Sequence, residues 1–120
     1  MKNLSELTYG IVGLGLMGGS LAKAIRTNVL KNNSCGKIVG SDINASSIKM
    51  AVEQNVVDEG FSADRTDEML SECDFVYICL YPHATVDFIR EHENAFKSGA
   101  IISDISGVKK IILDGAEKIK

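Results

Sequence analysis

Residues 9–25 have the sequence YGIVGLGLMGGSLAKAI, in which an apolar, strand-like run enters a glycine turn and leaves it as a helix. Gly13, Gly15 and Gly18 occupy the three glycine positions of the pattern G-x-G-x-x-G. In a dinucleotide-binding turn these positions allow a tight turn, close approach of the backbone to a pyrophosphate, and close packing of the helix on the strand. The spacing therefore predicts a cofactor-binding loop.

The residues around this turn have the pattern that such a loop requires. Ile11 and Val12 supply a buried strand before the turn. An apolar face of the following helix is predicted from the spacing of Leu16, Met17, Leu21, Ala24 and Ile25. Leu16 and Met17 are also predicted to contact the cofactor.

A second strand, predicted over residues 37–41, leads to Asp42, which follows Gly18 by 24 positions. A carboxylate at this place accepts both ribose hydroxyls of an adenosine and repels a 2′-phosphate. NAD is therefore the predicted cofactor, favoured over NADP. The alternative is that Asp42 only caps the helix that begins near Asn44.

The composition is that of one compact domain, residues 1–120, with 45% hydrophobic residues and a net charge of −3. No cluster of lysine or arginine is dense enough to neutralise a nucleic acid, so no such partner is expected. Three cysteines without C-x-x-C spacing predict neither a disulfide framework nor a metal site. The absence of a signal-peptide pattern and of a long apolar run predicts a cytoplasmic protein without a membrane partner.

Strand and helix patterns alternate along the rest of the chain. Strands are predicted over residues 57–61, 74–80 and 100–104, and helices over 45–54, 67–71, 82–95 and 108–118. This alternation predicts an α/β fold of the Rossmann type, a doubly wound parallel sheet with helices on both faces. Ligands of such sheets bind beyond the carboxyl ends of the strands. The loops over residues 13–18, 42–45, 80–85 and 104–109 are therefore the candidate site.

Two side chains of these loops have two interpretations each. His83 could approach the nicotinamide side of the cleft or lie exposed at the start of a helix, and Tyr81 could contact the cofactor or pack over the sheet edge. Ser20 is interpreted as a small packing residue of the first helix. His92, which lies among acidic and amide residues, is predicted on a solvated face.

The longer string GLGLMGGSLA, residues 13–22, closely resembles the start of prephenate and arogenate dehydrogenases. Leu80, Tyr81 and Pro82 are similar to the strand-to-proline loop of that family, and DISGVK, residues 104–109, is similar to its D-x-x-S-x-K segment. The resemblance covers nearly the whole chain. It implies that Leu80, Tyr81, Pro82 and Ser106 contact the cofactor.

The D-x-x-S-x-K match departs from the family at one place. The family commonly has serine three positions after the aspartate, whereas this chain has Gly107 there and Ser106 one place earlier. Lys109 is either the residue that orients the substrate end of the site, as the resemblance implies, or a lysine on the surface of a helix.

The resemblance implies the NAD-dependent oxidative decarboxylation of prephenate to 4-hydroxyphenylpyruvate in tyrosine biosynthesis, or the corresponding oxidation of arogenate. In the family, a histidine downstream of the D-x-x-S-x-K segment polarises the ring hydroxyl, and these 120 residues contain no such segment. No catalytic residue is therefore predicted here. The resemblance also implies a C-terminal helical domain with most of the substrate site and much of the homodimer interface, and we expect these 120 residues to lack it.

We therefore expect a cofactor-binding domain that is catalytically silent alone. Two other functions stay open from the sequence. One is an NAD-sensing regulatory domain, which would need no substrate-facing polar group in the loop over residues 104–109. The other is a different NAD(P)-dependent reductase of small molecules.

Overall fold

The computed structural model describes residues 4–31, 36–104 and 110–112. The strands are β1 (Thr8–Val12), β2 (Lys37–Asp42), β3 (Glu59–Ser62), β4 (Phe75–Ile78), β5 (Ile101–Asp104) and β6 (Lys110–Ile112). The helices are α1 (Leu16–Ile25), α2 (Ala45–Glu53), α3 (Thr66–Leu70) and α4 (Pro82–Glu91). A π-helical turn, Arg26–Leu30, continues α1, and 3₁₀ turns lie at Leu4–Glu6 and Ala63–Arg65. No helix within the described ranges is long and apolar enough to cross a membrane.

The six strands form one sheet in the order β3-β2-β1-β4-β5-β6. The first five strands are parallel, and β6 pairs with β5 in the antiparallel direction. The chain moves outward from β1 to β3, returns to the other side of β1 at β4, and continues outward. This reversal of strand order is the doubly wound arrangement, so the predicted fold class is confirmed.

Alternate residues of the strands face two separate cores, as the pleat of a β-strand requires. On one face, Tyr9 and Ile11 of β1 pack with Ala22 and Ile25 of α1. The opposite core contains Val76 and Ile78 of β4, Met69 and Leu70 of α3, and Ile89 of α4. Because β4 lies between β1 and β5, its predicted central position is confirmed.

The predicted apolar face of α1 is partly wrong. Met17 is 60% exposed and Ala24 is exposed, whereas the residues that face the sheet are Gly18, Ala22 and Ile25. These three positions are separated by four and three residues, which is the spacing of one helix face. The helix is rotated in this way because Gly18 is the point at which α1 touches the loop before it, as described below.

The prediction of a closing helix over residues 108–118 is wrong for residues 110–112, the part of this segment that the structure describes. Lys110–Ile112 forms β6, with Ile111 paired to Ile102 and Ile112 paired to Ile101. β-branched residues favour extended backbone, and the edge of β5 offers free backbone groups for pairing. The other residues of that predicted helix lie outside the described part of the chain.

Candidate nucleotide-binding site

Four neighbouring parallel strands end level with one another. Val12, at the end of β1, pairs with Ser41 of β2 on one side and with Ile78 of β4 on the other. Ile78 in turn pairs with Asp104, the last residue of β5. The loops that follow these strands therefore share one edge of the sheet. Because strand order reverses between β1 and β4, the general rule for such sheets places the ligand crevice there.

Gly13 begins the glycine loop, and only glycine suits its backbone. Its φ is +94°, and a Cβ built on it would lie 2.7 Å from the carbonyl oxygen of Cys79. Its N–H donates a 2.9 Å hydrogen bond to the carbonyl of Ser41. The loop thus turns sharply between the ends of β2 and β4, with Leu80 packed beside it.

The other two glycines of the pattern differ in what surrounds them. A Cβ on Gly18 would lie 1.9 Å from the carbonyl oxygen of Gly13, so this residue brings α1 against the loop. A Cβ on Gly15 would meet no atom within 4 Å among the described residues beyond its chain neighbours, and the backbone of Gly15 is extended, with φ −73° and ψ −160°. The fold therefore explains the glycine at position 18 but not the glycine at position 15.

Asp42 lies at the end of β2 and is half-buried. Its Oδ2 accepts a 2.7 Å hydrogen bond from the N–H of Leu14, and its Oδ1 accepts a 2.8 Å hydrogen bond from the N–H of Asn44. The residue that caps α2 is Asn44, whose side-chain oxygen accepts from the N–H groups of Ser46 and Ser47. The alternative that Asp42 is the cap of this helix is therefore wrong.

Exposed apolar side chains border the same edge of the sheet. Tyr81 is 79% exposed and immediately precedes Pro82, the first residue of α4. Ile43 is 93% exposed and directly follows Asp42. Ile43 is not among the predicted contacts, although its position directly after the predicted ribose-binding aspartate was a usable signal. Large apolar side chains this exposed are candidates for ligand contact.

Several of the predicted site residues cannot be placed in this geometry. Ser106 and Lys109 lie outside the described residues. For Leu16, Pro82 and His83 the structure describes the backbone but not the side chain. Ser20 is exposed, so its interpretation as a packing residue is wrong; it lines a groove between α1 and α2 that reaches Gly15. Among the residues that can be placed, no three His, Cys, Asp or Glu side chains converge to hold a metal ion.

His92 is not on a solvated face, contrary to the prediction. Its side chain is 17% exposed, its Nδ1 lies 2.5 Å from the carboxylate of Asp67, and its ring packs on Phe88. Because His92 follows the C-terminal end of α4, it lies away from the crevice at which α4 begins. The Asp67 partner is 25 residues earlier in the chain, so local sequence gave no signal of this contact.

Comparison with known proteins identifies relatives of this fold and sequence. A family model described as the nucleotide-binding domain of prephenate dehydrogenase matches residues 21–120. The prephenate dehydrogenase of Bacillus subtilis (strain 168) is 29% identical over 121 residues, which is 98% of this chain and 30% of that protein. The chain thus spans about a third of the length of the relatives it matches.

Solved structures give a consistent result. The A. aeolicus prephenate dehydrogenase, crystallised with hydroxyphenyl propionate and NAD+, superposes with a TM-score of 0.71 and 33% identity, covering 86% of this chain and 34% of that one. The Synechocystis arogenate dehydrogenase, at 24% identity and a TM-score of 0.69, covers 82% of this chain and 32% of its own, and shows the shared fold.

The predicted resemblance is confirmed by these matches, and the predicted cofactor, NAD, agrees with the NAD+ present in the A. aeolicus complex. The glycine loop, the aspartate at the end of β2 and the level strand ends lie together at the sheet edge where folds of this type bind their ligands. Since the family model covers all but the first 20 residues, the chain belongs to the family of prephenate dehydrogenase nucleotide-binding domains.

Proposed function

We propose that this chain binds NAD in the crevice between β1 and β4 and is the cofactor domain of an enzyme that oxidises prephenate. The observation that carries the binding proposal is the empty space around Gly15. Among the described residues no atom would obstruct a side chain there, so we explain the glycine by a ligand that approaches the backbone closely.

The N-terminus of α1 supports an anionic ligand at that place. α1 has ten residues, and Gly15, its N-cap, has no side chain with which to satisfy the first amide groups of the helix. Free N–H groups and the positive end of the helix dipole favour a phosphate. We place the pyrophosphate of NAD against Gly15, with Gly13 and Gly18 giving the loop its shape.

The remaining cofactor contacts are assigned to the loops that follow β2 and β4. The Asp42 carboxylate has lone pairs beyond those used by its two amide partners, and these would accept the ribose hydroxyls. Leu80, Tyr81 and Pro82, together with Met17 and Leu16, would line the crevice, and Ser106 would contact the cofactor from the loop after β5. Replacement of Asp42 by serine is expected to weaken NAD binding and to reduce the difference in affinity between NAD and NADP.

The test of NAD binding compares two glycines, Gly15 at the N-cap of α1 and Gly19 within α1. Gly15→Ala should remain folded, with a loss of stability of about 1 kcal/mol or less from the poorer N-cap, and should lose most of its affinity for NAD. Gly19→Ala is the matched control, because its Cβ also meets no atom within 4 Å and its position lies one turn into α1. Calorimetric titration with NAD should detect binding by Gly19→Ala and by the unmodified chain. Equal affinity in both variants would refute the proposed pyrophosphate position.

The substrate is proposed from the relatives. Two prephenate dehydrogenases, at 29% and 33% identity, are closer to this chain than the arogenate dehydrogenase at 24%. NAD, when bound, accepts the hydride from the substrate. The role of this domain is to bind NAD and to orient it. Because the chain spans about a third of such enzymes, we propose that these 120 residues alone do not turn over prephenate.

Addition of prephenate to the NAD-saturated chain tests that proposal. Without the helical domain we expect no binding of prephenate, and therefore no heat and no NADH absorbance. Turnover by the isolated chain would contradict it. Arogenate, run in parallel, tests the second candidate substrate. An NAD-sensing domain or another reductase would be favoured if an enzyme containing this domain bound NAD but oxidised neither compound.

The same proposal includes a cytoplasmic location and a homodimer formed through a helical domain outside these residues. Fractionation of cells, and light scattering of an enzyme that contains the helical domain, would test these two points.

A further inference from the structure

The glycine loop is attached to the end of β2 at three consecutive contacts. The N–H of Gly13 donates to the carbonyl of Ser41 at 2.9 Å, and the N–H of Leu14 donates to the Asp42 carboxylate at 2.7 Å. The side chain of Leu14, only 7% exposed, lies over Gly40, where a Cβ would be 2.8 Å from its Cδ2. The first contact joins two backbone groups and the third is apolar packing. Only the second depends on a charged side chain.

The Asp42 carboxylate is therefore engaged before any ligand binds. Leu14 is 28 residues away in sequence, and Asn44, the donor to the other oxygen, belongs to the segment leading into α2. Hydrogen bonds to a charged acceptor are stronger than those between neutral groups. A single carboxylate thus connects the glycine loop, the end of β2 and the entry to α2.

We propose that Asp42 is a positioning residue for the glycine loop, in addition to the ribose contact assigned to it above. By holding the N–H of Leu14, the carboxylate keeps the backbone between Gly13 and Gly15 in the conformation that receives a pyrophosphate. This deepens the proposed function and rests on it. Removal of the carboxylate would then weaken binding even of a ligand that has no ribose hydroxyls.

A pair of ligands separates the two roles. ADP has both ribose hydroxyls, and 2′,3′-dideoxy-ADP has neither, so the second ligand tests the loop alone. We expect Asp42→Ala to lower the affinity for dideoxy-ADP by about tenfold, the size expected for one hydrogen bond to a charged group. Asp42→Asn retains an amide oxygen that can accept from the N–H of Leu14, so this variant should recover most of that loss.

Asp58, which directly precedes β3, provides a matched control because its carboxylate also bonds to a backbone amide of β2. Its Oδ2 accepts a 2.8 Å hydrogen bond from the N–H of Ile38, near the opposite end of β2. Asp58→Ala therefore removes a carboxylate–amide bond of the same kind at a place far from the loop. Its affinity for dideoxy-ADP should stay within about twofold of the unmodified chain, whatever its loss of stability.

A measurement without ligand distinguishes failure of this inference from failure of the proposed function. Hydrogen exchange of the Leu14 amide should be at least about tenfold faster in Asp42→Ala than in Asp58→Ala, because only the former loses the acceptor. Unchanged Leu14 exchange, or unchanged affinity for dideoxy-ADP in Asp42→Ala, would overturn the positioning role. An unmodified chain that binds neither ADP nor NAD would instead overturn the proposed function.

Discussion

Substitution of Gly18 by alanine should displace α1 from the glycine loop. The added Cβ would lie 1.9 Å from the carbonyl oxygen of Gly13 and 3.0 Å from its carbonyl carbon. Both are backbone atoms, so no side-chain rotation can relieve the overlap. Since Cβ atoms do not approach other heavy atoms to less than 3.0 Å, helix and loop must separate by about 1 Å.

That separation also affects the residues that pack α1 on the sheet. Ala22 is 0% exposed and Ile25 is 4% exposed, and both lie on the same face of α1 as Gly18. Forcing extra volume into a packed contact costs about 1–3 kcal/mol, and we expect the upper part of this range because the obstacle is backbone. The melting temperature should fall by about 10 °C.

Gly19→Ala is the control in the same helix. Its Cβ enters open space, and replacement of glycine by alanine within a helix stabilises by up to about 1 kcal/mol. Thermal unfolding followed by circular dichroism should therefore give Gly18→Ala a melting temperature at least about 10 °C below that of Gly19→Ala, with the unmodified chain between them. Calorimetry should show that Gly18→Ala also loses NAD affinity, since the Gly13 peptide has moved. Equal melting temperatures for the two variants would refute the close-packing argument.

Three further outcomes are expected. Burial raises the pKa of the Cys73 thiol from 9.0 to about 12, so Cys73 should resist iodoacetamide at pH 8 in the folded chain, as read by peptide mass spectrometry. Because the unfolded thiol loses its proton first, Cys73 should make the free energy of unfolding fall by up to about 1.4 kcal/mol per pH unit between pH 9 and 12, and urea titrations of Cys73→Ala should show a fall that is smaller by this contribution. His92→Ala should lower the free energy of unfolding by about 1 kcal/mol, through loss of the Asp67 and Phe88 contacts, without changing NAD affinity; unchanged stability in urea would contradict this. Tyr81→Ala should leave the melting temperature unchanged and weaken NAD binding by about threefold to tenfold, and an unaltered calorimetric affinity would place the ring outside the site.

Local sequence predicted the order of strands and helices well where the pattern repeats within a few residues. The alternation from β1 to β5 and the start of α2 after Asn44 follow from short-range periodicity and capping, which depend on neighbouring residues only. The prediction failed for residues 110–112. There the choice between a helix and an edge strand depends on whether β5 offers a partner, and β5 lies elsewhere in the chain.

The sequence by itself determined that Gly13, Gly15, Gly18 and Asp42 would gather at one edge of a parallel sheet, because glycine spacing and strand ends are local properties. Only the tertiary structure decided what each residue contacts there. The rotation of α1 follows from the approach of Gly18 to Gly13, and the bond from Asp42 to Leu14 exists because β1 and β2 end side by side. Such contacts join residues that are distant in sequence, so the pattern around either partner does not contain them.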